Sequence, residues 1–227
     1  MNILGLQRSS TVDFPGLLSC VVFFGGCDLN CFFCHNRALL RGQGERIGED
    51  ALFAFLEKRR GLLDGVVLSG GEPTLQRGLA PFLERLHALS YKTMLETNGQ
   101  RPALVWELVD RGLLDYLAVD LKCLPEDGPS VCGKNAYLAA ASTLHGLLER
   151  GVPFEGRTTL YPGLSLEALE QLLASLPPLP RWQLNYFRPI QVFLPCHEER
   201  LRLPALSPSS VQAALPLLLQ HQPGLLA

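Results

Sequence analysis

Residues 25–36 read GGCDLNCFFCHN and place three cysteines, Cys27, Cys31 and Cys34, within a span of eight residues. A closed tetrahedral zinc site uses four protein ligands, and a disulfide uses two thiols, so three thiols suit neither arrangement. An iron–sulfur cluster that leaves one iron without a protein ligand uses three thiolates, and its open iron is free to bind a small molecule. The stretch therefore predicts a cluster with one open coordination position.

A zinc site is the alternative interpretation of the same stretch, with His35 as the fourth ligand. Adjacent side chains such as Cys34 and His35 rarely reach one small ion together, so a zinc site would need a distant cysteine instead. The chain offers four such cysteines, Cys20, Cys123, Cys132 and Cys196. None of them continues a recognised ligand spacing, and we interpret them as incidental.

The composition is that of an ordinary globular protein. The chain has 227 residues, of which 47% are hydrophobic and 19% charged, and its net charge is −2. With no basic surface, binding to nucleic acid is not expected. No apolar run approaches the ~18 residues of a membrane span, and the N-terminal stretch lacks the pattern of a secretory signal. We therefore expect a cytoplasmic protein, with no membrane partner, whose clustered cysteines stay reduced.

Apolar runs and helical patterns alternate along the chain. Six runs read as buried strands: residues 17–24, 65–69, 91–97, 115–122, 153–161 and 182–187. Six stretches have helical spacing: residues 49–60, 76–89, 102–112, 135–150, 165–175 and 207–221, with Pro216 expected to kink or end the last. This alternation predicts one α/β domain over residues 1–227, with a core at about 3–190 and a helical tail at 191–227, built as an open doubly wound sheet or as a barrel.

Unusual polar segments follow the predicted strands. GGC follows the first, SGGEP the second and ETNG the third, VDLK closes the fourth, and Arg157 lies within the fifth. In both candidate architectures the chemistry takes place at the carboxyl ends of the strands. The sequence therefore predicts that these segments meet in one site.

The cysteine spacing, on a loop after the first predicted strand, resembles that of the radical S-adenosylmethionine (SAM) enzymes. The resemblance implies a [4Fe–4S] cluster on Cys27, Cys31 and Cys34, with the amino and carboxylate groups of SAM on the fourth iron and Phe33 against the adenine. The SGGE segment resembles the family motif that offers backbone polar groups to the methionine ammonium. It consists of Ser69, Gly70, Gly71 and Glu72.

Two further segments are similar to those that contact SAM in the activating proteins of glycyl radical enzymes. They contain Glu96, Thr97 and Asn98, and Asp120 and Lys122. In that group an arginine at the position of Arg157 lies near the SAM carboxylate, and in one branch the two acids also hold a monovalent cation. The alternative for Asp120 and Lys122 is a structural ion pair, because residues two apart on a strand share a face.

The stretch TVDFPG at residues 11–16, combined with CHN at 34–36, is similar to proteins that activate anaerobic ribonucleoside-triphosphate reductase, and the similarity extends over residues 3–189. It implies a partial (β/α)6 barrel of the radical SAM type, with Asp13 as a candidate catalytic acid. The implied reaction is reductive cleavage of SAM and removal of a hydrogen from a glycine Cα of a partner enzyme. A flavodoxin- or ferredoxin-type protein would donate the electron.

Three other functions remain open from the sequence. The chain resembles, less closely, radical SAM enzymes that act on small molecules, such as the 7-deazaguanine-forming synthases. It could equally activate pyruvate formate-lyase or a similar enzyme. The non-enzymatic alternative is a zinc-stabilised binding module that catalyses no reaction.

Overall fold

The structure, a computed structural model, describes all 227 residues of the chain. Eight strands form a single sheet in which sequence neighbours are also spatial neighbours. The strands are β1 (Ile3–Ser10), β2 (Ser19–Phe24), β3 (Gly65–Gly70), β4 (Lys92–Thr97), β5 (Tyr116–Asp120), β6 (Phe154–Leu160), β7 (Trp182–Tyr186) and β8 (Leu225–Leu226).

Helices connect the strands and cover the outside of the sheet. They are α1 (Arg37–Leu40), α2 (Glu49–Lys58), α3 (Leu79–Ala88), α4 (Pro102–Asp110), α5 (Gly128–Cys132), α6 (Tyr137–Leu148), α7 (Leu166–Ala174), α8 (Glu198–Leu201) and α9 (Pro208–His221). Two short 3-10 helices lie at Pro73–Leu75 and Pro195–His197. No helix is both long and apolar enough to cross a lipid bilayer.

The six strands predicted from the sequence are β2 to β7, and each pairs in parallel with the next. β1 runs antiparallel to β2, and β8 extends the other edge beside β7. Because β1 and β8 are the two ends of the sheet order, the barrel is not closed. The fold is thus the expected partial α/β barrel.

Strand residues alternate between the inside of the curved sheet and its helix-covered outside. Inside, Val21, Val67, Met94 and Ala118 form one apolar layer together with Phe14. Phe14 closes the amino end of this layer, since a Cβ at Gly65, the first residue of β3, would lie 2.9 Å from its ring. The interior is therefore filled at its amino end and open to polar groups at its carboxyl end.

The sequence did not predict every element. β1, β8 and the short helices α1, α5 and α8 were missed. The helix predicted at 207–221 forms as α9 and continues through Pro216 instead of ending there. Residues 191–227, expected to be helical, also contribute β8 to the sheet.

Asp115, just before β5, holds the adjacent strand β4 in place. Its carboxylate accepts hydrogen bonds from the backbone N–H of Thr93 at 2.8 Å and from Nζ of Lys92 at 2.7 Å. Burial acts to raise the pKa of Asp115, but these two hydrogen bonds outweigh it, so the pKa lies below the ordinary value of 3.8. The folded chain therefore favours the charged form of Asp115. This preference stabilises the folded chain at every pH at which the carboxyl of the unfolded chain is also ionised.

We expect Asp115→Asn to lower the free energy of unfolding by about 1–3 kcal/mol at neutral pH. Because a lowered pKa contributes stability above the unfolded value, this loss should shrink as the pH falls from about 4 through the folded pKa. Urea unfolding at pH 7 and pH 3 measures it. Glu107→Gln, in an exposed pair with Arg111, is the control and should change little. An equal loss from Asp115→Asn at both pH values would contradict this account.

Candidate active site

A cavity of about 220 Å³ opens at the carboxyl ends of β2 to β5. Its wall contains most of the residues that the sequence predicted for the site. These are Cys27, Cys31, Phe33, Cys34, Ser69, Gly70, Gly71, Glu72, Glu96, Thr97, Asn98, Asp120 and Lys122. Leu29, His35, Asn36, Leu40 and Thr159 complete the wall. The loops after four successive strands thus meet in one place, as the carboxyl-end rule predicted.

The cysteine loop packs directly against the loop that follows β3. The backbone N–H of Glu72 donates to the carbonyl oxygen of Gly26 at 2.8 Å. A Cβ at Gly71 would lie only 2.0 Å from that same oxygen, so a larger residue would push the two loops apart. The glycine at position 71 is therefore required by the close approach of the loops.

The three motif cysteines surround one end of the cavity. Cys31 is buried, whereas Cys27 and Cys34 are partly exposed. Burial raises the pKa of Cys27 to about 12, so this thiol stays protonated until a metal ion binds it.

The donor set decides which group the site fits. No three His, Cys, Asp or Glu side chains of the chain are grouped closely enough to hold a single metal ion. A zinc site needs all its ligands around one ion, whereas in an iron–sulfur cluster each thiolate binds its own iron. The three spaced thiols around a cavity therefore fit a cluster with one open iron better than a zinc ion.

Glu72 connects the loops that follow β3 and β4. Its side chain is 1% exposed. It accepts hydrogen bonds from the backbone N–H and hydroxyl of Thr74, at 3.0 and 2.6 Å, from the hydroxyl of Thr97 at 2.8 Å, and from the backbone N–H of Asn98 at 2.7 Å. Because its oxygens are occupied in this way, Glu72 acts on the site by positioning both loops.

Asn98 ties the β4 loop to the cysteine loop. Its side-chain amide lies 2.8 Å from Oδ1 of Asp28 and 3.7 Å from Sγ of Cys27. Asp28 also pairs with Lys134 at 3.2 Å. Asp28 and Lys134 could not be recognised as neighbours from the sequence, because nothing in their spacing indicates that they meet.

From Glu96 in the cavity wall, a row of charged groups continues across the inside of the sheet. Oε2 of Glu96 accepts from the hydroxyl of Ser69 at 2.5 Å, and its Oε1 pairs with Nη1 of Arg157 at 2.5 Å. Nε of Arg157 also pairs with Glu155 at 2.5 Å, and Tyr116 donates to Glu155 at 2.9 Å. Arg157 therefore reaches the site through Glu96 and is not part of the cavity wall.

Asp120 and Lys122 form an ion pair at 2.7 Å, and both line the cavity. Burial acts to lower the pKa of Lys122, but the charge of Asp120 and its hydrogen bond hold it well above the ordinary value of 10.5. Lys122 thus keeps a positive charge beside the cysteines. The ion-pair interpretation and a place in the site are both compatible with this geometry.

Phe33 lies with one ring face against Tyr161, with ring centres 5.0 Å apart and planes inclined by 13°. No motif in the sequence indicates that Tyr161 lies beside the site. His35, considered as a zinc ligand, also lines the cavity and lies against the ring of Phe187 at 5.9 Å.

Asp13 is the predicted site residue that lies at the opposite end of the strands from the cavity. It follows β1, whose last residue, Ser10, pairs with Ser19 at the start of β2. The cysteines follow the other end of β2. Asp13 therefore lies at the amino ends of the strands, with the apolar layer that contains Phe14 between it and the cavity. This position corrects the expectation that Asp13 is a catalytic acid, and we assign it no contact with the reacting groups.

The radical SAM superfamily matches residues 21–176 of the chain by sequence. The chain therefore belongs to this superfamily, whose cofactors are a [4Fe–4S] cluster and SAM. The fold agrees: SuiB of Streptococcus suis, in its structure bound to S-adenosylmethionine, superposes with a TM-score of 0.58 at 18% identity, over 76% of this chain and 43% of that chain.

Within the superfamily, the chain is homologous to activating enzymes of glycyl radical enzymes. A protein of Methanocaldococcus jannaschii whose name places it among the glycyl-radical enzyme activating enzymes is 30% identical over 219 residues, which cover 89% of this chain and 85% of that protein. The pyruvate formate-lyase 2-activating enzyme of Escherichia coli K12 is 30% identical over 78% of this chain and 73% of its own length. The 7-carboxy-7-deazaguanine synthase of Koribacter versatilis is 39% identical over a shorter region, 45% of this chain and 46% of the synthase.

Proposed function

We propose that the chain is an activating enzyme that installs a glycyl radical in a partner protein, and that the partner is an anaerobic ribonucleoside-triphosphate reductase. The observation that carries the activating role is the similarity over 89% of the chain to a glycyl-radical enzyme activating enzyme. The TVDFPG and CHN stretches favour the reductase as the partner. When bound, the reduced cluster and SAM supply the one-electron chemistry that removes a hydrogen atom from an unactivated carbon.

The roles of the cavity residues follow from their positions. Cys27, Cys31 and Cys34 would hold the cluster, and Asn98 would donate a hydrogen bond toward the sulfur of Cys27, as it does in the structure. Such hydrogen bonds to ligand sulfurs tune the cluster potential. Lys122 places a positive charge beside the thiolates and offsets part of their negative charge.

The SAM-binding part of the proposal uses the remaining wall. Gly70 and Gly71 expose backbone polar groups without a side chain in the way, and Ser69, Thr97 and Asp120 add hydroxyl and carboxylate groups at the same opening. Phe33 supplies an aromatic surface. Glu72 is part of the wall and fixes the position of Asn98, whereas Arg157 acts from behind the wall through Glu96.

The barrel is open along one side, which suits a protein substrate because a glycine loop has to enter the site. We include in the proposal a flavodoxin- or ferredoxin-type donor, since the reaction consumes single electrons, and a cytoplasmic location, where free thiols persist.

The test compares substrates after anaerobic reconstitution of the chain with iron and sulfide. The reduced protein is incubated with SAM in three separate reactions. The first contains an anaerobic ribonucleotide reductase, the second a pyruvate formate-lyase, and the third the substrate of a 7-deazaguanine synthase. A glycyl radical signal in the reductase, detected by electron paramagnetic resonance and absent when its radical glycine is replaced by alanine, would support the proposal. A signal in the lyase alone would support that partner instead. Product from the small molecule with no glycyl radical would overturn the activating role.

The acids that the resemblance offered as ligands of a monovalent cation both have cationic partners within the chain. Glu96 pairs with Arg157, and Asp120 pairs with Lys122. A fixed guanidinium and a fixed ammonium thus already balance the two carboxylates, so the donor set does not favour a bound alkali ion.

We therefore expect the rate of SAM cleavage to be the same in potassium, sodium and choline chloride at equal ionic strength. Release of 5′-deoxyadenosine measures this rate. A loss of about tenfold or more in choline, equivalent to ~1.4 kcal/mol, would show that a cation binds despite the two ion pairs.

A further inference from the structure

One guanidinium beside the cysteine loop is buried without a charged partner. Arg37, the first residue of α1, is 2% exposed. Its Nη1 donates to Oδ1 of Asn30 at 2.9 Å, and its Nη2 donates to the carbonyl oxygen of Cys31 at 2.5 Å. Its Nε is buried and has no hydrogen-bond partner. The hydrogen-bond acceptors around Arg37 are therefore all neutral.

The acids around the cysteine loop have other partners. Asp28 pairs with Lys134 at 3.2 Å. Asp120 pairs with Lys122 at 2.7 Å. The buried carboxylate of Glu72 accepts its hydrogen bonds from hydroxyl and backbone N–H groups only. The chain itself thus supplies no carboxylate in contact with the buried guanidinium.

Hydrogen bonding alone does not explain a charged side chain at this place. Transfer of a charge from water to a protein interior costs far more free energy than transfer of a neutral donor, and buried arginines in proteins are normally paired. A neutral amide side chain in place of Arg37 would also donate to the carbonyl of Cys31. The unpaired guanidinium therefore indicates an anionic group that is not one of the chain's own carboxylates.

The position of Arg37 shows which anionic group it faces. The carbonyl that it binds belongs to Cys31, one of the three motif cysteines, so the positive charge is held next to a residue that would ligate the cluster. Three thiolates carry more negative charge than a [4Fe–4S] core carries positive charge, and reduction adds one more negative charge. The net charge around a cluster is one of the factors that set its reduction potential.

We propose that Arg37 is the buried counter-charge of the cluster and raises its reduction potential. A positive charge nearby stabilises the reduced cluster more than the oxidised one, because the reduced form is the more negative. Since Arg37 is buried, salt in the solvent screens this attraction only weakly. The inference rests on the proposed ligation by Cys27, Cys31 and Cys34, and it does not depend on which partner the protein activates.

The experiment is a redox titration of the full-length, reconstituted chain without SAM, followed by electron paramagnetic resonance of the reduced cluster. Arg37→Gln removes the charge and keeps an amide donor. At the potential that half-reduces the unmodified chain, we expect the ratio of reduced to oxidised cluster in Arg37→Gln to be about tenfold lower, equivalent to ~59 mV for one electron. Arg37→Lys keeps the charge, and its ratio should stay close to that of the unmodified chain.

Arg41→Gln is the matched control. Arg41 follows the last residue of α1 and is exposed, so water and salt screen its charge. We expect this substitution to leave the ratio of reduced to oxidised cluster unchanged. A shift as large as that of Arg37→Gln would mean that the net charge of the whole chain, and not the buried guanidinium, sets the potential, and it would overturn the proposal.

Iron content separates the proposal from the ligation on which it rests. An unmodified chain that binds no iron would overturn the ligation itself. If Arg37→Gln binds as much iron as the unmodified chain and titrates at the same potential, Arg37 is not the counter-charge. If Arg37→Gln binds no iron, Arg37→Lys decides: retained iron and potential would support the requirement for a positive charge. Loss of iron from both variants would assign Arg37 to the hydrogen bonds of the loop and overturn the proposal.

Discussion

Replacing Cys34 with alanine is expected to lower the rate of SAM cleavage by about 10³-fold or more, which corresponds to ~4 kcal/mol. Cys34 lines the cavity with Cys27 and Cys31, and no fourth cysteine lines the cavity to take its place. A cluster deprived of one of three thiolates would lose a ligand that nothing nearby replaces. The rate is measured as 5′-deoxyadenosine formed by the reduced, reconstituted chain, alongside iron and sulfide content.

Cys196→Ala is the matched control for this substitution. Cys196 is exposed and lies in the 3-10 helix Pro195–His197, outside the cavity wall. We expect it to retain the iron content and the cleavage rate of the unmodified chain. If Cys34→Ala cleaved SAM within tenfold of the unmodified rate, Cys34 would not be a ligand. If both substitutions lowered the rate equally, the loss would follow from removing any thiol, and it would not show that Cys34 binds the cluster.

The central strands could be predicted because parallel strands are buried on both faces. Runs such as VVL at 66–68 carry no polar alternation, because Val66 and Leu68 pack against the helices outside the sheet and Val67 packs in the apolar layer inside it. Once the strands were placed, the rule that chemistry sits at their carboxyl ends located the cavity without any knowledge of side-chain contacts. The order of the motifs along the chain was therefore enough to assemble the wall.

The error over Asp13 has its origin in the strand that was missed. β1 reads ILGLQRSS, and the exposed run Gln7, Arg8 and Ser9 near its end hides the edge-strand pattern. Because β1 runs antiparallel to β2, the turn between them must lie at the amino end of the parallel strands. Without β1, the TVDFPG stretch could be matched to a family motif but not placed, and a role near the cysteines was inferred from the match alone.

The polar contacts in and behind the cavity wall could not be predicted in full because they depend on residues that are distant in the sequence. Glu155 and Arg157 stand two apart on β6 and share a face, a signal that was available in the sequence. The contact between Asp28 and Lys134 joins residues far apart in the chain. Likewise, the burial of Glu72 could not be inferred, since the four hydrogen bonds that satisfy it come from Thr74 and from the separate β4 loop.

Glu72→Gln is expected to lower the free energy of unfolding by about 1–3 kcal/mol at pH 5, because a buried donor that loses its acceptor costs ~1–3 kcal/mol. An amide presents one oxygen where the carboxylate presents two, so its NH2 group must face the Thr74 or the Asn98 donor. The loops after β3 and β4 would then separate, and SAM cleavage should fall with them. Glu84→Gln is the control, since Glu84 pairs with Arg111 on the exposed side of a helix. This substitution should change the free energy of unfolding only a little.

The pH dependence of this loss separates a buried carboxyl from a surface one. Burial raises the pKa of Glu72 above the ordinary value of 4.5, although its hydrogen bonds oppose the shift. The folded chain therefore holds a proton over a pH window that begins near 4.5, in which the unfolded chain has already lost it. By linkage, the free energy of unfolding of the unmodified chain falls as the pH rises through that window. The Glu72→Gln chain has no proton to lose in this window, so its free energy of unfolding should not change in the same way. The difference in the free energy of unfolding between the two chains should therefore narrow between pH 5 and pH 8, as measured by urea unfolding. A difference that widened with pH would mean that the hydrogen bonds, and not burial, set the charge state of Glu72.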